Sequence, residues 1–221
     1  MGLSMDLVPL KTKRLRLRLL GGEHEGFYCS LYTDPLAMRL IGPTLSRDAA
    51  LTDFRRAVRA NGQAPKFPQR GLEPAISDHE RDPFGNLPWE TSPHPQHGHR
   101  VVAEATDTGA VVALYGLQRW DEHGFDWEMG VMAPRVAHGK GYAVEGMSAL
   151  ADQLLSNNVA RVLLRCRPDN YPARRVARQM GFIEKPVESA TGAVILWART
   201  MKRDRQSRQT FHNDQGKRAH E

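Results

Sequence analysis

The sequence predicts a mixed α/β domain organised around one central sheet. Three observations carry this expectation. Residues 14–19 read Arg-Leu-Arg-Leu-Arg-Leu, the period-two alternation of a strand with one buried face. Residues 100–132 hold three further strand-like runs in quick succession, the pattern of a meander. Residues 139–201 then alternate amphipathic helices with short apolar runs.

After the first strand, 23–31 reads as a helix with Phe27 and Leu31 on one side, and Asp34-Pro35 opens a short helical segment with Leu36 and Leu40 apolar. Residues 46–60 form a third helix: Ser46 is a suitable N-cap, and Leu51, Phe54 and Val58 recur at helical spacing. Strands follow at 100–105 and 110–120, joined by a turn at Thr108-Gly109. In the next strand, 125–132, Phe125, Trp127, Met129 and Val131 alternate with Asp126, Glu128 and Gly130. A helix over 139–155 carries the apolar stripe Val144, Met147, Ala151 and Leu154. Then come a short apolar strand at 160–166, a helix at 171–180 closed by Gly181, and a last strand at 193–201.

The stretch from 61 to about 98 interrupts this pattern. Pro65, Pro68, Pro74, Pro83, Pro88, Pro93 and Pro95 fall within it, so regular structure is not expected and it reads as a surface insertion. Trp89 and Phe84 could either cover a substrate or pack the insertion down. His94, His97 and His99 lack a framework that would fix metal geometry, so no metal site is expected. The organisation is therefore one domain over 1–201 with an insertion at about 61–98, followed by a solvated tail over 202–221.

Bulk properties narrow the class. The chain has 221 residues, 40% of them hydrophobic, and no apolar run of membrane-spanning length. The N-terminal residues carry no apolar signal core, which points to a cytoplasmic protein without a membrane partner. Half of the net charge of +6 sits in the 202–221 tail. That tail has almost no apolar anchor, so it reads as solvated chain rather than as a nucleic-acid-binding arm. The only cysteines, Cys29 and Cys166, are far apart, and Cys166 reads as a small strand residue. Arg14, Arg16 and Arg18 read as the solvated face of their strand.

The segment that bears chemistry joins a strand to a helix: Ala133-Pro134-Arg135-Val136-Ala137-His138-Gly139-Lys140-Gly141-Tyr142-Ala143. The first amides of a helix have no intrahelical partner and sit at the positive end of its dipole. Glycine lets such a backbone approach a phosphate closely, and Lys140 and Arg135 add charge. The pattern points to a phosphate-bearing ligand without saying which.

The stretch from Trp127-Glu128-Met129-Gly130-Val131 through His138-Gly139-Lys140-Gly141-Tyr142-Ala143-Val144-Glu145 resembles the acetyl-CoA signature of the GNAT N-acetyltransferase superfamily. His138, Gly141 and Ala143 fall on the three defining places of Gln/Arg-x-x-Gly-x-Gly/Ala, the first as a departure. Asn170-Tyr171-Pro172-Ala173 and Gln179-Met180-Gly181-Phe182 resemble the family's Asn…Gly-Phe block. The opening Thr12 to Arg18 and the Asp34-Pro35 helix resemble the branch that acetylates ribosomal-protein N-termini.

The resemblance implies a twisted, mostly antiparallel sheet flanked by helices, and transfer of acetyl from acetyl-CoA to a primary amine, either a protein N-terminus or a small molecule. It implies cofactor contacts at Val131, Met132, His138, Gly139, Lys140, Gly141, Tyr142, Ala143 and Asn170. The pyrophosphate would lie on the amides of 139–143, and the pantetheine arm between strands 127–132 and 160–166. An amide near Met129 to Val131 would face the oxyanion, and Glu128 would serve as base, with Asp126 on the same face. Where the family keeps its general acid this chain has Ala173 and Ala177. Tyr171 is the candidate substitute, with Tyr142 read mainly as a packing residue. A CoA-binding module without turnover is the alternative reading, and a homodimer is left open.

Overall fold

A computed structural model describes residues 7–63, 65, 67–68, 98–120, 125–189 and 192–200. The strands are β1 (Leu10–Lys11), β2 (Leu15–Leu19), β3 (Gly98–Ala105), β4 (Val111–Arg119), β5 (Asp126–Met132), β6 (Arg161–Cys166), β7 (Ile183–Ser189) and β8 (Gly192–Thr200). The helices are α1 (Glu25–Tyr32), α2 (Pro35–Met38), α3 (Arg47–Asn61), α4 (Tyr142–Ser156) and α5 (Tyr171–Gln179). The sheet runs β1-β2-β3-β4-β5-β6-β8-β7, and every neighbouring pair is antiparallel except β5–β6. The predicted mixed α/β architecture with a mostly antiparallel sheet is the one observed.

The sheet is covered on both faces. On one, Leu15, Leu17, Val101, Tyr115, Trp127 and Met129 form a core with Met147, Leu150 and Leu154 of α4 and Ala177 of α5. On the other, Leu20, Val102 and Leu114 meet Tyr28 and Leu31 of α1 and Phe54 and Ala57 of α3. Leu15 and Leu17 are fully buried, as the alternation requires. Ser46 caps α3 by accepting from the Ala49 amide at 3.2 Å. At the end of α5, Gly181 takes φ +74° and the Phe182 amide donates to the Ala177 carbonyl at 3.1 Å, which closes the helix in a Schellman turn.

Several boundaries differ from those the pattern predicts. The helix expected at 23–31 is a 3₁₀ turn, Gly22–His24, followed by α1. α4 begins at Tyr142 rather than 139, because Gly139 and Gly141 adopt φ of +74° and +77°, outside the helical region. The edge strands β1 and β7 have no counterpart among the predicted elements. Pro186 and the charged Glu184 and Lys185 conceal β7, and a proline is tolerated there because the strand is an edge.

Phe67 stacks on Trp127 at 5.7 Å, and His99 stacks on the same ring at 6.2 Å. His99 is thus a buried ring on the inner face. Phe84, Trp89, His94, His97, most of the insertion and the 202–221 tail lie outside the described residues. Among the described residues, no helix is long and apolar enough to cross a membrane.

Candidate active site

β5 and β6 run in parallel only at Asp126↔Arg161, Trp127↔Val162 and Glu128↔Leu163. Beyond that point each follows its other neighbour: β4 accompanies β5 to Met132, and β8 accompanies β6 to Cys166. The sheet therefore forks in its interior, and Glu128 stands at the crotch. Below the fork the strands are fastened by the buried Arg161, whose Nε and Nη2 donate to Asp126 at 2.6 and 2.5 Å. Asp126 does share a face with Glu128, but this bidentate pair occupies it.

Glu128 faces the α1–α3 side. Leu114 belongs to that side's core, and counting by twos along β4 brings Gln118, the register partner of Glu128, to the same face. Its carboxylate accepts from Arg165 Nη2 at 3.3 Å, with 17% of the side chain exposed. Burial pushes the Glu128 carboxyl up, and Arg165 opposes the shift in part. A carboxylate whose proton affinity is raised, and which retains access to solvent, can take a proton from an ammonium group near neutral pH.

On the other face, β5 leads into the glycine loop. His138 Nε2 lies 3.0 Å from the Ala133 carbonyl, which closes the loop on itself, and both His138 and Lys140 are exposed. Gly141 is the N-cap of α4 and no side chain caps the helix, so the first-turn amides are directed into the space beyond it. Tyr115 supports this turn by donating its hydroxyl to the Tyr142 carbonyl at 3.0 Å. Gly146 makes room for that hydroxyl: a Cβ there would overlap it.

Arg14 is exposed, as its alternation suggests, but it is also tied to the glycine loop and α4. Its Nη1 donates to the Lys140 carbonyl at 2.8 Å, its Nε donates to Glu145 at 2.7 Å, and its guanidinium lies 5.0 Å from the centre of the Tyr142 ring. Thr12 also donates to Glu145, at 2.6 Å. Burial raises the Glu145 carboxyl, but the Thr12 hydroxyl and the Arg14 amide and guanidinium outweigh it and hold the group below its ordinary value. Arg18 is likewise bound, to Glu104 and Glu23. A carboxylate in the first turn of a helix expected to take an anion was the signal available in the sequence.

The remaining candidates are distributed as follows. Val131 and Met132 lie on the β5 arm past the fork, and both are partly buried. Asn170 caps α5, its Oδ1 accepting from the Ala173 amide at 3.1 Å and its Nδ2 donating to the Leu40 carbonyl at 3.4 Å. It thereby ties the α2–α3 connection to the β6 side of the fork. Tyr171 is 71% exposed, with the Arg174 guanidinium 5.9 Å from its ring centre. Ala177 is buried in the core. Cys166 is partly buried at the end of β6, and burial pushes its thiol up.

The model of the acetyltransferase (GNAT) domain family matches residues 14–183. No curated protein sequence matches the chain. Three solved structures illustrate the likeness. A GNAT-family acetyltransferase from Bacillus anthracis is similar with a TM-score of 0.64 at 13% identity, covering 86% of this chain and 97% of its own. A ribosomal-protein α-N-acetyltransferase in complex with coenzyme A gives 0.62 at 16%, covering 89% and 99%. Spermidine N-acetyltransferase from Vibrio cholerae, in complex with CoA and spermine, gives 0.57 at 16%, covering 86% and 96%. With the family model spanning most of the sequence and the fold shared with CoA-bound enzymes, this chain belongs to the GNAT acetyltransferases.

Proposed function

We propose that the chain transfers acetyl from acetyl-CoA to a primary amine by direct attack at the fork, with Glu128 as general base. The observation that carries this reading is the position of Glu128 at the last paired residues of β5 and β6, on the face opposite α4. The pyrophosphate rests on the amides of 139–143, with His138 shaping the loop and Lys140 adding charge. The pantetheine arm passes Val131 and Met132 into the fork, flanked by Asn170. Glu128 takes a proton from the ammonium, and the amine lone pair then attacks the thioester carbonyl. An amide in the Met129–Val131 stretch receives the oxyanion. The C–S bond breaks as the amide forms, the nitrogen sheds its second proton to water, and the thiolate takes up a proton from Tyr171 or from water.

The acceptors in two similar structures differ, a ribosomal protein in one and spermidine in the other, so the likeness alone leaves a protein N-terminus and a small amine both in view. Ala173 and Ala177, which have no hydroxyl, favour a second reading in which the chain binds CoA without turnover. Release of free CoA thiol from acetyl-CoA, followed with a panel of amines, separates the two. Amine-dependent thiol release supports transfer; tight CoA binding with no release under any amine supports the module.

A further inference from the structure

Next to Glu128, the acceptor face of the sheet is floored by bare backbone. Gly116 of β4 and Gly130 of β5 are register partners, and both lie on the face of Glu128. A Cβ on Gly130 would meet no described atom within 4 Å. One on Gly116 would meet the guanidinium of Arg100, with Nη1 at 3.5 Å. Arg100 is the β3 register partner of Gly116, so its side chain lies across that glycine. On the far side of the fork is Arg165, which bonds Glu128 and lies over the Trp120 ring at 5.2 Å. The open floor thus has one carboxylate and two guanidinium groups at its edge. The other carboxylate of this stretch, Asp126, is held by Arg161 on the same face.

This charge pattern selects among amines. A polyamine seated with one ammonium on Glu128 would bring further cations toward Arg100 and Arg165, while the other carboxylate of β5, Asp126, is already held by Arg161. An amine that carries its own carboxylate has the opposite fit. In an α-amino acid one carbon separates nitrogen from carboxylate, so the ammonium can lie on Glu128 while the carboxylate lies on Arg165. The four charges then alternate around a square, so that Glu128 and Arg165 each gain a second counter-ion, and Arg100 adds a further positive charge at the edge of the floor. The planar guanidinium, held over Trp120, carries the fork of donors that a carboxylate accepts.

We infer that the acceptor is a carboxylate-bearing primary amine of the free α-amino-acid class, bound on the Gly116–Gly130 floor between Glu128 and Arg165. The inference rests on the transfer reading above and narrows its acceptor.

The test uses the full chain, acetyl-CoA and three acceptor sets: the twenty amino acids, their carboxamides, and spermidine. The amino-acid set is expected to be acetylated with kcat/KM at least ~10-fold above the matching carboxamides, and spermidine to be the poorest. Arg165→Met should collapse the acid-to-amide ratio toward one, and Arg165→Lys should retain much of it. Gly130→Val should abolish transfer with CoA affinity intact. Carboxamides or spermidine used as well as the acids by wild type, or an unchanged ratio in Arg165→Met, would overturn the inference. If CoA binds and no amine is acetylated, the transfer reading fails by itself. The acceptor site is then read by saturation-transfer NMR of the amino-acid mixture on the CoA complex. A signal seen with wild type that disappears in Arg165→Met sustains the inference, and no signal with wild type overturns it.

Discussion

Arg14 and Glu145, 131 residues apart in the chain, meet at the start of α4, with Nη2 and Nε of the arginine 2.6 and 2.7 Å from the Glu145 carboxylate. The backbone amide of Arg14 adds a third contact at 2.8 Å. The glutamate stands in the first helical turn, where a free carboxylate would repel an incoming phosphate. Arg14 neutralises it and at the same time holds the Lys140 carbonyl.

Arg14→Ala is therefore expected to weaken CoA binding by about 10-fold, chiefly by releasing the Glu145 charge. The double variant Arg14→Ala/Glu145→Gln should recover much of that affinity, although it removes one more native bond. Calorimetric titration with CoA reads both. A double variant that binds no better than Arg14→Ala would assign the pair to stability alone.

Gly141→Asp should cost more. The residue has φ +77°, so any side chain is strained there by about 1–2 kcal/mol. Its Cβ would stand 3.3 Å from Arg14 Nη2, and its carboxylate would enter the space proposed for pyrophosphate. Loss of CoA binding in a protein that retains its circular dichroism spectrum is the expected outcome. Undiminished affinity would move the phosphate site elsewhere.

Glu128→Gln separates function from stability. If Glu128 is the base, transfer should fall by ~10²-fold near neutral pH, with the deficit shrinking as pH rises and free amine accumulates. Stability should move the other way. Burial raises the Glu128 carboxyl, so the folded protein holds that proton more tightly than the unfolded chain does. The associated stability is fully present below the ordinary carboxylate range and is lost as pH rises through the raised value. At neutral pH the glutamine variant should melt no lower than wild type, and any gain should vanish in acid. A pH–rate profile and melting curves over the same range test the two halves separately.

Gly146→Ala should destabilise by about 1–3 kcal/mol, because the new methyl overlaps the Tyr115 hydroxyl. Tyr115→Phe should cost about 1 kcal/mol through the missing bond to the Tyr142 carbonyl. Combined, the two should cost somewhat less than their sum, since the phenylalanine removes the hydroxyl from the overlap but keeps the ring carbon Cζ, which the methyl also meets. Denaturant melts of the four proteins give the coupling directly, and strict additivity would place the clash elsewhere.

The parts of the fold legible in the sequence are those written in local periodicity. Leu15 and Leu17, Trp127 and Met129, and Met147, Ala151 and Leu154 all lie on the faces their spacing assigns. Ser46 and Gly181 cap as their residue types suggest. The features that periodicity conceals depend on partners far away in the chain. Arg14 belongs to an alternating strand and so looks solvated; only the arrival of α4 makes it an ion-pair residue. The Arg165 and Arg161 pairs depend on β6 lying parallel to β5, and the Gly116–Gly130 floor depends on β4 register. No window of sequence contains either relationship.

The sheet carries an edge in its middle. Below the fork, Asp126 and Arg161 rivet β5 to β6, while past Leu163 the facing backbone groups of the two arms share no ladder. Amide protons there should trade with solvent like those of an outer strand, although their neighbours on the β4 and β8 sides are locked. Deuterium uptake should show a fast-exchanging seam between two slow ladders, and CoA lying in the fork should slow that seam. The rivet sets how far it runs, so loosening Asp126 should lengthen it toward Phe125.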